Sequence, residues 1–207
     1  MTSRSAYREV MDTPRQPVVV LSRALDQAGD ALAAVQAEPV RYEIEPTHTF
    51  VTFEVVHFQT STLRGRFDKV DGFVELDRKA GTGNAEITID MGSINSGTPD
   101  FDAHLKSPDF FDIAKTPTAR FVGKKFGLDG DKLTSVEGEL TLLGKTMPVT
   151  LKGDRFNCYD QPVLKVHVCG GDFETTIERS QWGMNWGLDM GIPDEVRLVI
   201  QIEAIQK

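Results

Sequence analysis

Much is scarce in this chain, and each scarcity excludes something. Only two cysteines, Cys158 and Cys169, occur among 207 residues. That is too few for a disulfide-dense scaffold and enough for one bridge in an oxidising compartment. No stretch approaches the roughly 20 apolar residues of a membrane-spanning helix. Lysine and arginine form no basic run, and the net charge of −8 works against a nucleic-acid partner, whose phosphates would need neutralising. Histidines stand only at His48, His57, His104 and His167. Neither CxxC nor HExxH spacing is present, so no metal centre and no cofactor is expected. His167 and Cys169 would share one face of a strand, but further ligands would have to come from distant elements. A GxSxG elbow is missing, and "GTGNAE" has no helix behind it to make a phosphate loop. Acid pairs such as Asp109 with Asp112 read as loop solvation and capping rather than a carboxylate dyad. No catalytic residue stands out, and a non-enzyme is expected.

The first 37 residues differ from the rest. Arg4, Arg8, Arg15 and Arg23 balance Glu9, Asp12, Asp26 and Asp30, so the whole net charge belongs to residues 38–207. The longest apolar run of this segment is Val18-Val19-Val20-Leu21, and its end, "ALAAVQAEPVRY", carries the small-residue pattern of a cleavage site after Ala37. A secretory leader also needs an apolar stretch of roughly 7–15 residues, which charges interrupt here. Residues 1–37 are therefore read as a leader or a disordered tail, with a docking amphipathic helix as a third reading, and 38–207 as the globular domain.

What is present is short-range alternation. From Tyr42 onward, apolar and polar residues alternate in short runs between Gly and Asp turns, the pattern of antiparallel β-structure. In "THTFVTFEVVHF", Val51, Phe53, Val55 and His57 share one face, and Glu54 marks the opposite, solvent face. In "LRGRF", Leu63, Gly65 and Phe67 lie opposite Arg64 and Arg66. The runs "GFVELD", "NAEITIDMGSI", "ARFVGKKF", "SVEGELTLLG", "MPVTLKGDRF", "LKVHV", "DFETTIE" and "EVRLVIQIEAI" supply further strands. Roughly eight to ten strands too closely spaced for intervening helices fit an all-β barrel or sandwich. Two segments break the alternation. "TPDFDAHLKSPDFFDIAKTPTARF" predicts a short helix over about residues 100–106, with Thr98 or Asp100 as N-cap and prolines ending it. "RSQWGMNWGLDMGIPDE" is glycine-rich, with Trp182 and Trp186 four apart.

Between the cysteines, the best turn signal, Asp160-Gln161-Pro162, lies nearer the first. A symmetric two-residue turn would fall on Val163-Leu164, which are strand formers. An irregular closed loop is expected rather than a paired hairpin. A Cys158–Cys169 disulfide, worth roughly 2.5–3 kcal/mol in the loop-entropy picture, is the favoured reading over two buried thiols. His167 is assigned a structural role.

Taken in order, "IEPTHTFVTFEVVHFQTSTLRGRFDKVDGFVELD", "DAHLKSPDFFDIAKTPTARF", "GELTLLGKTMPVTL" and "TTIERSQWGM" resemble the YceI-like, polyisoprenoid-binding proteins of bacteria. The similarity runs from about Tyr42 to Ile205, and "NCYDQPVLKVHVCGGDFETTIERSQWGMN" is especially similar to the periplasmic branch. Matching positions include His48, the Val51 to His57 face, Gly65-Arg66-Phe67, His104-Leu105, Phe110-Phe111, Phe121 and Gly183. The resemblance implies an extended antiparallel, lipocalin-like β-barrel with a short capping helix. It implies non-enzymatic binding, sequestration or transport of a long-chain isoprenoid lipid, of the polyprenyl phosphate or isoprenoid quinone type, or a similar amphiphile. It implies export to the periplasm, with transient contact with a membrane or membrane redox proteins and a monomeric or homodimeric state. An enzyme acting on such a lipid, or a filled-barrel interaction module, are the alternatives.

Candidates for the channel wall follow from that implication. On the strands they are Val51, Phe53, Val55, His57 and Phe67, then Ile87, Ile89, Phe121, Leu140 and Leu142, and finally Phe173, Leu198 and Ile200. In the helical segment they are Phe101, Leu105, Phe110 and Phe111. From the glycine-rich segment come Met184, with Trp182 and Trp186 expected at a rim. His57 is expected to be an inward polar contact.

Overall fold

A computed structural model describes residues 39–207; the expected leader over 1–37 lies outside the described residues. The strands are β1 Val40–Ile44, β2 Phe50–His57, β3 Ser61–Phe67, β4 Val70–Asp77, β5 Thr82–Asp90, β6 Ile94–Asn95, β7 Thr118–Asp129, β8 Lys132–Leu142, β9 Lys145–Gln161, β10 Val166–Glu178 and β11 Glu195–Gln206. A single short helix among the described residues, α1, spans Pro99–Leu105. Eight strands close a barrel in the order β1, β4, β5, β7, β8, β9, β10 and β11, with β11 returning to β1. Closure gives each of these eight strands a neighbour on both sides, which limits the exposed-edge liability of an open sheet.

β11 carries two partners along one edge. Its Arg197–Gln201 stretch pairs with β2, and Ala204–Gln206 pairs with β1. Thr49 marks the bend between them and is fully buried. Its hydroxyl donates to the Glu203 carbonyl and accepts from the Glu203 amide, both at 3.1 Å. β3 and the two-residue β6 continue the wall beyond β2.

Period-two patterning sets the two faces of this wall. Glu54 faces outward, accepting from Arg64 Nε and from Arg197, each at 2.7 Å. Arg197 also donates to Glu174 at 2.6 Å, so one charged ladder crosses β10, β11, β2 and β3. The helix starts one residue earlier than expected. Thr98 occupies the N-cap position without a capping side-chain bond, and Asp100 lies inside the first turn. Asp102 folds the entry instead, its Oδ1 accepting from the Ser96 amide and hydroxyl at 2.7 and 2.5 Å.

The cysteine segment departs from expectation. Cys158 and Cys169 are bonded, and they face each other directly as a cross-strand pair in the β9–β10 hairpin. "LKVHV" and "DFETTIE" are not separate strands: "VHV" and "DFETTIE" are both parts of β10, while Leu164 and Lys165 belong to the tip. The turn is symmetric after all, because four residues, not two, separate the Gln161–Val166 pair. Gln161 Oε1 accepts from the Val163 and Leu164 amides at 2.7 Å each, and Lys165 takes the left-handed conformation at φ 55°. These local bonds let two strand-forming residues sit at a tip, where both are exposed.

Candidate functional site

The inward side chains do not fill the barrel. Leu198, Ile200 and Ile202 all point inward from β11, yet each is only partly buried. Their free faces front an internal space rather than bulk solvent. Two cavities occupy that space, one of about 130 Å³ and one of about 340 Å³. Val51, Ile89, Leu140 and Leu198 border both, forming a waist between them. Along β11 the lining runs from Val196 in the larger cavity to Ala204 in the smaller. That is about 26 Å of strand at the usual rise, or about 20 Å along the axis at a typical barrel tilt.

The smaller cavity is bounded by the expected Ile87, Phe121, Phe173 and Ile200. Tyr42 and Cys169 close its far end, beside the disulfide. Burial raises the pKa of the Tyr42 hydroxyl, with Arg78 pulling the other way. The larger cavity collects Phe53, Val55, His57, Phe67, Leu142 and, from the helical segment, Phe101, Leu105, Phe110 and Phe111. Met184 and Trp186 complete it from the glycine-rich segment. Nineteen of the wall candidates therefore line one or both of two adjoining cavities.

Trp182 is the exception, and the rim placement expected for it is wrong. It is 2% exposed and lines neither cavity. Its Nε1 donates to the Leu140 carbonyl at 3.2 Å. The 3-10 turn Arg179–Trp182 ends on Gly183, whose φ of 93° swings the chain back. That reversal buries the first tryptophan behind the wall and leaves the second at the surface. Trp186, 36% exposed, stands at the larger cavity and packs edge-on against His104, with ring centroids 4.7 Å apart.

Polar lining groups are few, with Tyr42, Thr49 and Thr175 at the smaller cavity and two histidines and an arginine at the larger. His57 lies on its wall with its ring against the edge of Phe58. His104, matched by motif but given no role from sequence, also lines it, and its Nε2 lies 2.9 Å from Asp109 Oδ2. Arg179 was missed altogether. It is 3% exposed, and its guanidinium donates to the carbonyls of Pro193, Met184, Trp186 and Ile192. Burial lowers its pKa while Asp194 opposes that shift. The alternation Phe173, Thr175, Ile177 on β10, continued one step past the strand end, points to Arg179 as inward, a signal present in the sequence. Gly65 is needed for shape: a Cβ there would come 2.5 Å from the Phe53 ring, which lies across it from the neighbouring strand.

A closed antiparallel barrel around a long apolar space, with its histidines and buried arginine at one end, has a lipocalin-like architecture. Residues 42–204 match the YceI-like domain, and the chain belongs to that family. It is 31% identical over 191 residues to a UPF0312 protein of Pseudomonas aeruginosa, covering 91% of this chain and 96% of that one. To Protein YceI of Escherichia coli O157:H7 it is 34% identical over 185 residues, covering 87% and 91%. Among solved structures, Burkholderia cenocepacia BcnA aligns with a TM-score of 0.63 at 24% identity, over 78% of this chain and 99% of that one. A polyisoprenoid binding domain from Saccharophagus degradans aligns with a TM-score of 0.61 at 17% identity, over 81% and 99%. Both structures share the fold.

Proposed function

We propose that this protein encloses the apolar tail of a long-chain isoprenoid amphiphile, of the polyprenyl phosphate or isoprenoid quinone type, and carries or sequesters it without covalent chemistry. The observation that carries this reading is the pair of apolar cavities meeting end to end inside a closed barrel. Burying a methylene contributes about 0.8 kcal/mol, so a tail of a few isoprene units supplies ample driving force even after the chain is immobilised. The tail enters through the larger cavity, and the head stays near His57 and His104. The solved polyisoprenoid binding domain of the same fold supports this class of ligand. An apolar wall discriminates weakly between tails of similar girth, so several isoprenoids and fatty amphiphiles bind.

The protein works in the periplasm, a reading supported by the Cys158–Cys169 bridge, since disulfides persist in oxidising compartments. Phe58, Trp186 and Met190 are exposed apolar residues near the larger cavity, suited to brief contact with a membrane during loading. Organic extraction of protein purified from its native source, followed by mass spectrometry, tests the proposal. A stoichiometric isoprenoid is expected; protein that yields no lipid at all, with or without isoprenoid supplied, sinks it.

A further inference from the structure

The β9–β10 hairpin holds a second constellation, independent of what the barrel contains. Cys158 and Cys169 occupy one cross-strand rung. His167 and Asp160 occupy a rung nearer the tip. The separation of two residues puts all four side chains on one face of the hairpin. His167 Nδ1 lies 2.8 Å from Asp160 Oδ1. A carboxylate at that distance requires a proton on Nδ1 in either charge state of the ring, so Nε2 is left to face the sulfurs. Nε2 lies 3.9 Å from Cys169 Sγ. The two sulfurs and an imidazole nitrogen all fall within 4.8 Å of one another.

We propose that reduction of the Cys158–Cys169 bridge converts this rung into a Cys2His site for a thiolate-seeking metal ion of the Zn²⁺ type. The chemistry balances with a dithiol as reductant. Two electrons and two protons pass from the dithiol to the bridge, giving two protein thiols and one oxidised dithiol. The metal ion then displaces both thiol protons and takes two thiolates and the Nε2 lone pair as ligands. Water fills a fourth, open position on the solvent side, where His167 is partly exposed and Asp160 largely so.

Thiolate and imidazole are the donors that suit this ion, and a carboxylate holding the far nitrogen of the ligating ring is the usual outer support of such sites. The bridge and the metal exclude each other, because bonded sulfurs are not thiolates. The hairpin register holds the donors together in both states. The ion therefore favours the reduced form by mass action, and the rung senses thiol redox state and metal supply together. Cys169 also lines the far end of the smaller cavity, so the switch sits in the channel wall.

The test titrates full-length protein with Zn²⁺ against a chromophoric chelator, once with the bridge intact and once after anaerobic reduction, with circular dichroism followed throughout. One equivalent is expected to bind the reduced protein and none the oxidised protein. The ion is also expected to protect both thiols from alkylation. Asp160→Asn and His167→Gln should each weaken binding in the reduced state at least tenfold, on the scale set by outer-support residues. Three results would overturn the proposal. Reduced protein could bind no more tightly than the Cys158→Ser/Cys169→Ser double variant. His167→Gln could leave affinity unchanged, leaving a simple dithiol. Reduction alone could unfold the hairpin before metal is added.

Discussion

Leu198 gives the most direct test of whether the two cavities act as one channel. It borders both, and part of its side chain fronts open space. Leu198→Trp places an indole in the waist beside Val51, Ile89 and Leu140, closing the passage without touching the polar groups at the larger cavity. A tail that passes the waist gains about 0.8 kcal/mol for each methylene it buries beyond it. Excluding one five-carbon isoprene unit therefore removes about 4 kcal/mol, close to 10³-fold in Kd, before the relief from freezing fewer bonds is subtracted. A net loss of about 10²- to 10³-fold is expected for the longest chains. Prenyl alcohols of increasing length, competed against an environment-sensitive fluorescent lipid, supply the assay. Wild-type affinity should keep rising with length, while the variant should level off once the larger cavity is full. Leu198→Met, close to volume-conserving, should retain the wild-type slope. Identical length dependence in wild type and Leu198→Trp, with both proteins folded, would mean that tails do not thread the waist.

Gly65→Ala should drive the Phe53 ring into the larger cavity, costing about 1–3 kcal/mol of stability as overpacking and weakening short-chain binding; unchanged ligand affinity counts against the wall assignment. Arg179→Met leaves buried carbonyls of the 184–193 loop without donors, so stability should fall by about 3 kcal/mol in urea titrations, and a neutral result would show that solvent satisfies them. Hydrogen bonds from Arg64 and Arg197 hold the Glu54 pKa below the usual carboxylate value. The resulting stabilisation is complete above the unfolded pKa near 4.3 and disappears as pH falls through the lower folded value. Glu54→Gln should therefore cost up to about 1 kcal/mol at neutral pH and flatten the acid arm of the stability curve. An acid arm identical to wild type would show that the ladder contributes nothing.

Strand content and the inward set were legible because period-two alternation is a local signal. The face of Val51, Phe53, Val55 and His57 could be assigned from a dozen residues. What could not be read depends on distance. Whether inward side chains touch across the barrel is set by strand number and stagger, so the partly buried Ile200 and Ile202 look like any other core residues in sequence. Trp182 was misplaced because its burial follows from the reversal at Gly183, not from its spacing to Trp186. The four-residue hairpin tip was missed because Val163 and Leu164 favour strands by themselves, and the bonds to Gln161 that override this are specific to one turn. Arg179 went unnoticed because an inward arginine contradicts composition-based expectation, although the alternation of β10, extended one residue past its end, points to it.

The partly buried inner wall has a thermodynamic consequence. Side chains that face a void have given up hydration without gaining full van der Waals contact, so the empty barrel is a weakened state. Filling it should raise the melting temperature and lower the heat capacity of the complex. On the proposed function, a measured stability would then describe protein plus contents. Preparations that acquired different lipids during expression would then differ in melting temperature, although every covalent bond in them is the same.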